Sequence, residues 1–209
     1  MHRLSETNHP SESALHMKQN NQPSRVWFLG KGCKQVPLDY TRGIVRWAHP
    51  DGYFLNAQGQ KVPNDNVNPS SQKCFGGSPA YPKDRASNKL MHILMAHAFY
   101  GPRPVYDNAV GIVHHLIPDK LDYRPANLLC WLDYSQHRKA DNRRRALEAA
   151  VPDGDLHVFT YERLRELQDP RTMSDEDFQT ELARIREDGF TKSNPAEQME
   201  YECTHHCEV

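Results

Sequence analysis

Long apolar runs are missing from this 209-residue chain. No stretch approaches the roughly 20 consecutive apolar residues of a membrane-spanning helix, and Met1-His2-Arg3-Leu4-Ser5 lacks the apolar core of a secretory signal. Both absences point to a soluble, cytoplasmic protein with no membrane partner. Cysteine is scarce too: Cys33, Cys74, Cys130, Cys203 and Cys207 are an odd number and widely scattered. That argues against a disulfide framework and for a reducing compartment. With only 37% apolar residues, the chain can build one modest core or two small ones, which excludes a large multidomain machine. No internal repeat is present.

Net charge is also nearly absent, at −1, but the signs are segregated. Residues 25–146 carry 18 Lys+Arg against 9 Asp+Glu, and residues 147–209 carry 6 against 16. A basic body joined to an acidic C-terminal region suits a polyanion-binding unit whose field is partly offset by its own tail. Two ordinary solvated surfaces would give the same counts.

The pattern along the chain predicts an α+β fold. Residues 1–24, rich in Ser, Asn, Gln and His, bury too little to order themselves and are expected to be a disordered leader. Residues 25–87 read as a β-rich part. Its β-type runs are Arg25–Leu29 and Gly43–Trp47, with a hairpin of Ile44–Ala48 and Tyr53–Leu55 around Pro50-Asp51-Gly52. A long irregular loop follows over 62–88. In the core region, 88–150, a helix is expected through Phe99 with Leu90, Ile93, Leu94, His97 and Ala98 on one face, stopping at Gly101-Pro102. A strand then runs from Val110 into His114-His115, and a second spans Asn127–Trp131. The next helix covers Asp133–Ala150, capped by Asp133 or Ser135. Residues 151–190 read as an acidic helical extension with helices at Tyr161–Gln168 and Ser174–Glu187, and 191–209 as a loose tail.

The strand–loop–strand–helix unit carries the most specific signal, with His115, Asn127 and His137 at strand end, strand start and helix start. Around it stand Met91-His92, Ala96-His97-Ala98-Phe99, His114-His115, Tyr123-Arg124-Pro125-Ala126-Asn127-Leu128, Trp131 and Ser135-Gln136-His137. In this order the text resembles the HNH endonucleases and their ββα-metal motif, closest to the HNH group of phage and mobile-element homing endonucleases. The resemblance covers residues 88–140 well and 40–60 loosely. Three features depart from the family pattern. Tyr123 replaces the usual Asn, Pro118 stands where glycine is common, and Asn127 to Trp131 is one residue longer, which leaves the direction of His137 open.

What the resemblance implies is hydrolysis of DNA phosphodiester bonds. His115 would act as general base, since imidazole titrates near neutrality. His114 and His137 would ligate one divalent metal, and Asn127 would tie the loop down and help orient the base. Two imidazoles suit Zn, Ni, Mn or Co better than Mg, although an ion completed by water and phosphate could be Mg. Double-stranded DNA is the partner implied, with no small-molecule cofactor. Cutting both strands would take a second copy in a homo-oligomer or a second event.

Cations cluster beside this unit. Arg138, Lys139, Arg143, Arg144 and Arg145 follow His137, and Arg124 lies in the loop facing it, all candidates for phosphate contacts that position without reading sequence. For the last three arginines a solvated surface cluster fits equally. An inactive HNH-fold module that binds nucleic acid without cutting it, or a fold held by a structural zinc, would also fit the histidines. Cys203-Thr204-His205-His206-Cys207 is too short a run to wrap a tetrahedral ion. Cys130 and the three tryptophans, Trp27, Trp47 and Trp131, are expected to pack.

Overall fold

The computed structural model describes residues 22–63, 81–106 and 109–187. Residues 1–21 of the expected leader, most of the long loop and the tail with its Cys and His residues lie outside these. Within them the fold is mixed α+β, with five α-helices and four small antiparallel sheets.

The N-terminal part opens with a correction. Arg25–Leu29, read as a strand, forms helix α1 (Arg25–Gly30), started by the Ser24 hydroxyl, which accepts from the Trp27 amide. Only Phe28 of this turn is buried, whereas Val26 and Leu29 stay exposed. The run has no alternating pair of buried positions, so a strand would gain nothing there. Trp27 is therefore half exposed beneath Lys31 rather than core, while Trp47 and Trp131 are buried.

The predicted hairpin is present in shortened form. β2 (Trp47–His49) pairs antiparallel with β3 (Tyr53–Leu55), and β1 (Lys34–Gln35) adds on the other side of β2. Gly52 in its turn has φ of 82°, and a Cβ there would stand 2.7 Å from Arg124 Cγ. Glycine is thus required twice over, for the turn and for the approach of the distant loop.

β4 (Lys83–Asp84) and β5 (Lys89–Leu90) form a short ladder leading into α2 (Met91–Tyr100). α2 ends at Gly101, as expected, but it is not amphipathic: every residue from Met91 to His97 is buried. Asp84 anchors this segment. It accepts from Arg46 Nη2 at 2.9 Å and from the amide and hydroxyl of Ser87. Burial alone would raise its pKa, but these bonds overcome it and hold the carboxyl below its usual range.

After the ladder of β6 (Val105–Tyr106) and β7 (Ala109–Val110) come β8 (Ile112–His115), β9 (Leu128–Leu132) and α3 (Tyr134–Glu148). β9 is buried along its whole length because it divides two cores. Leu128, Cys130 and Trp131 pack toward α2 with Val36, Phe54, Leu94 and Met95. Leu129 and Leu132 pack on the other side with Ala140 and Leu147 of α3.

That second core is completed by α4 (Tyr161–Gln168) and α5 (Asp175–Glu187), through Leu164, Leu167, Phe178 and Leu182. Each fully buried side chain of this kind contributes about 1.5–3 kcal/mol. The helices read from sequence as an acidic extension are therefore structural partners of α3.

Candidate functional site

β8 delivers its two terminal histidines to opposite sides, as successive strand residues must be. His114 faces α3 and α4, where its ring meets His137 at 5.4 Å between centroids. His115 faces α2, where it meets His92 edge to face at 5.3 Å. Tyr81 flanks both His92 and His115, and Lys120 lies over the Tyr81 ring. His92, placed by the resemblance near the site, is thus in direct contact with His115. The other histidine of α2, His97, stacks on Tyr40 and belongs to a separate patch.

The meeting of His114 with His137 depends on how β9 absorbs its extra residue. Ile112 pairs with Leu132 and His114 with Leu129, so Cys130 and Trp131 together oppose the single residue Val113. This is a β-bulge, with Trp131 in the left-handed region at φ 60°. Cys130 and Trp131 consequently face the same core, and alternation resumes with Leu132 on the α3 side. Without the bulge, the chain would enter α3 from the wrong face of the hairpin. The strained residue is held by its neighbours: its indole donates to Tyr100 O, and Tyr106 donates to its carbonyl at 2.6 Å.

α3 starts where the sequence says it should. The Asp133 carboxylate accepts from the Gln136 amide and Gln136 Oε1 accepts from the Asp133 amide, a reciprocal capping box. His137 therefore sits in the first turn, half buried.

Asn127 ties the loop between the strands. Fully buried, it accepts from Ile117 N at 2.8 Å and donates to Ile117 O at 3.2 Å and Asp122 O at 2.9 Å. The segment immediately after His115 is thereby closed into a ring.

Electrostatics keep the central histidines neutral. Burial pushes His114 and His115 down to about 4 and His92 to about 3. Asp122 and Asp119 oppose this at His115, and the Gln168 hydrogen bond opposes it at His114, but desolvation wins. Neutral imidazole is the form that ligates metal or accepts a proton. His115 Nε2 is buried without a hydrogen-bond partner among the described residues.

Among the described residues no group of three or more His, Cys, Asp or Glu is placed to hold a metal ion. His114 and His137 are two imidazoles in contact, both with lowered pKa. Such a pair can supply two nitrogen ligands to one divalent ion.

The cations divide sharply. Arg143 is a correction: it is 4% exposed and donates to the carbonyls of Leu167, Asp169 and Met173 and to Asp175. It closes the α4–α5 connection and does not reach a phosphate. Arg144 is mostly buried between Asp141 and Glu148, Arg145 pairs with Asp141 and Lys139 with Asp175. Arg124 is held by Asp122 at 2.8 Å and by Tyr161, its pKa raised chiefly by the hydrogen bonds it donates to Asp122. Of the six candidates only exposed Arg138 has no ion pair among the described residues.

The C-terminal helices contribute residues that sequence reasoning missed. Gln168 of α4 bonds His114, Tyr161 donates to Asp122, and Arg165 donates to the carbonyls of Leu128 and Ala126. Nothing in their spacing sets them apart from ordinary helix polar residues. A cleft of about 440 Å³ lined by Tyr100, Tyr106, Trp131, Arg165 and Arg171 contains none of the histidines. Comparisons of the chain with family models, with curated proteins and with solved structures return no match.

Proposed function

We propose that the chain is a metal-dependent endonuclease of HNH type that hydrolyses phosphodiester bonds in double-stranded DNA. The observation that carries this reading is the contact of His114, at the end of β8, with His137, in the first turn of α3. The two are delivered by a hairpin whose loop Asn127 clamps.

His114 and His137 would hold one divalent ion, Mg, Mn, Zn or Ni, which supplies Lewis-acid stabilisation of the phosphate and the leaving 3′ oxygen. His115 takes the proton of the attacking water: it is neutral at pH 7, and its Nε2 has no competing partner among the described residues. Asn127 fixes the backbone that follows this base, so the imidazole does not swing with the loop. Arg138, exposed at the start of α3, contacts backbone phosphate beside the helix N-terminus, where free amides also favour anions.

One observation favours a second reading, an inactive HNH-fold module that binds nucleic acid. His115 is only 7% exposed and faces away from the His114–His137 pair. A supercoiled-plasmid assay separates the two, with Mg, Mn, Ni, Zn or EDTA and with His115→Ala in parallel. Metal-dependent nicking that disappears in the variant supports the nuclease. Intact plasmid with every metal, from a folded protein that still retards DNA, moves the assignment to the binding module.

A further inference from the structure

Gln168 is the last residue of α4 and is completely buried. Both ends of its amide are engaged. Nε2 donates to the carbonyl of Leu116 at 3.0 Å, and Oε1 lies 3.0 Å from Nε2 of His114. Only the nitrogen end can serve a carbonyl, so the Leu116 bond fixes which way the amide points. The oxygen that is left accepts and cannot donate. His114 must therefore present a proton on Nε2. A neutral imidazole has one ring proton, so the lone pair resides on Nδ1.

We propose that Gln168 is a positioning residue that locks His114 in the Nε2–H tautomer and reserves Nδ1 for a divalent cation. The second half rests on the reading of His114 as a metal ligand, whereas the tautomer stands on the hydrogen bonds alone. Metal-ligating histidines regularly donate their other ring N–H to a fixed acceptor, which sets ring orientation and strengthens the bonding nitrogen. Gln168 does this from a helix that lies outside the stretch carrying the His114, Asn127 and His137 pattern. The same amide binds Leu116, two residues along from His114, so ring and strand are held as one unit. The C-terminal helices are in this sense part of the site.

Long-range ¹H–¹⁵N correlation spectra of the full chain at pH 7 read the tautomer directly. The Nε2–H pattern for His114 is expected in the wild type, and a mixture of tautomers in Gln168→Met. Titration with Ni²⁺, followed calorimetrically, should show about tenfold or more weaker binding in Gln168→Met. An Nδ1–H pattern in the wild type overturns the proposal, as does unchanged Ni²⁺ affinity in a folded Gln168→Met. The wild-type spectrum needs no variant, so it decides the tautomer even where Gln168→Met fails to fold. A wild type that shows Nε2–H but binds no Ni²⁺ overturns the metal half, and the ligand reading with it, and leaves the tautomer assignment in place.

Discussion

His92 and His115 meet edge to face in the interior, and each buries a ring nitrogen, Nδ1 of His92 and Nε2 of His115, that has no hydrogen-bond partner among the described residues. A proton on either ring would be desolvated and would face the other ring. Burial is the chief reason that both are pushed far below the ordinary histidine range, with the neighbouring His115 adding to the shift at His92 and Lys120 adding to it at His115.

The consequence is acid lability. In the unfolded chain His92, His114 and His115 take up protons near pH 6.5, and in the folded chain only near 3 to 4. Between these limits the unfolded state binds more protons, so stability falls as pH falls. With three groups the steepest slope is about 4 kcal/mol per pH unit. Urea midpoints measured from pH 7.5 down to pH 5 should drop steeply, and His92→Gln should flatten the drop. A midpoint constant over that range would show that these rings are not held neutral.

The cation cluster after His137 splits into a buried, structural Arg143 and an exposed Arg138 to which the proposed function assigns a phosphate contact. Arg143→Met takes the guanidinium donors away from the carbonyls of Leu167 and Met173, and one of several donors from that of Asp169. It should destabilise the fold by about 3 kcal/mol. Arg138→Ala should change stability by less than about 0.5 kcal/mol yet weaken DNA retention and lower the salt slope by about 1. Chemical denaturation and gel retardation on the same two variants test this. A fully stable Arg143→Met would contradict the burial.

Much of the site is legible in the sequence because its signals are local. His114-His115 closes a β-type run, and Asp133 with Gln136 marks the start of α3, so His137 falls in the first turn whatever the rest of the chain does. Long-range features are not legible. An arginine at position 143 looks like its neighbours 144 and 145 until α4 and α5 fold over it. Gln168 acquires a role only through a partner 54 residues earlier. α1 runs against its composition: aromatic and β-branched residues suit strands on average, whereas Ser24 and the single buried Phe28 favour one helical turn. The extra residue in β9 can be counted from the sequence. Its placement at Trp131 cannot, since a left-handed tryptophan runs against local preference.

Asn127 offers a test of loop clamping apart from metal binding. Asn127→Ala removes three hydrogen bonds from a buried ring of backbone, a loss of about 3 kcal/mol at a net value near 1 each. Amide exchange over Leu116–Asn127 should accelerate, and plasmid nicking should slow by tenfold or more. Ni²⁺ affinity should stay within a few-fold, because His114 and His137 are held by other contacts. Unchanged exchange in the loop would show that the amide is not its clamp.

The β9 bulge can be probed without touching any histidine. Gly111 lies against it: a Cβ added there would stand 3.1 Å from Pro104 and 3.3 Å from Trp131 Cα. The Pro104 ring and the Trp131 backbone cannot both withdraw, since Gly111 N donates to Pro104 O at 2.9 Å and Trp131 is fixed through its indole and its carbonyl. Gly111→Ala should therefore cost about 1–3 kcal/mol by overpacking. Because the bulge sets the face from which the chain enters α3, the same substitution should weaken Ni²⁺ binding beyond what partial unfolding explains. Thermal unfolding and calorimetric titration at a temperature where the variant is folded measure the two effects separately. Full stability together with wild-type Ni²⁺ affinity would show that the bulge does not govern the approach of His137 to His114.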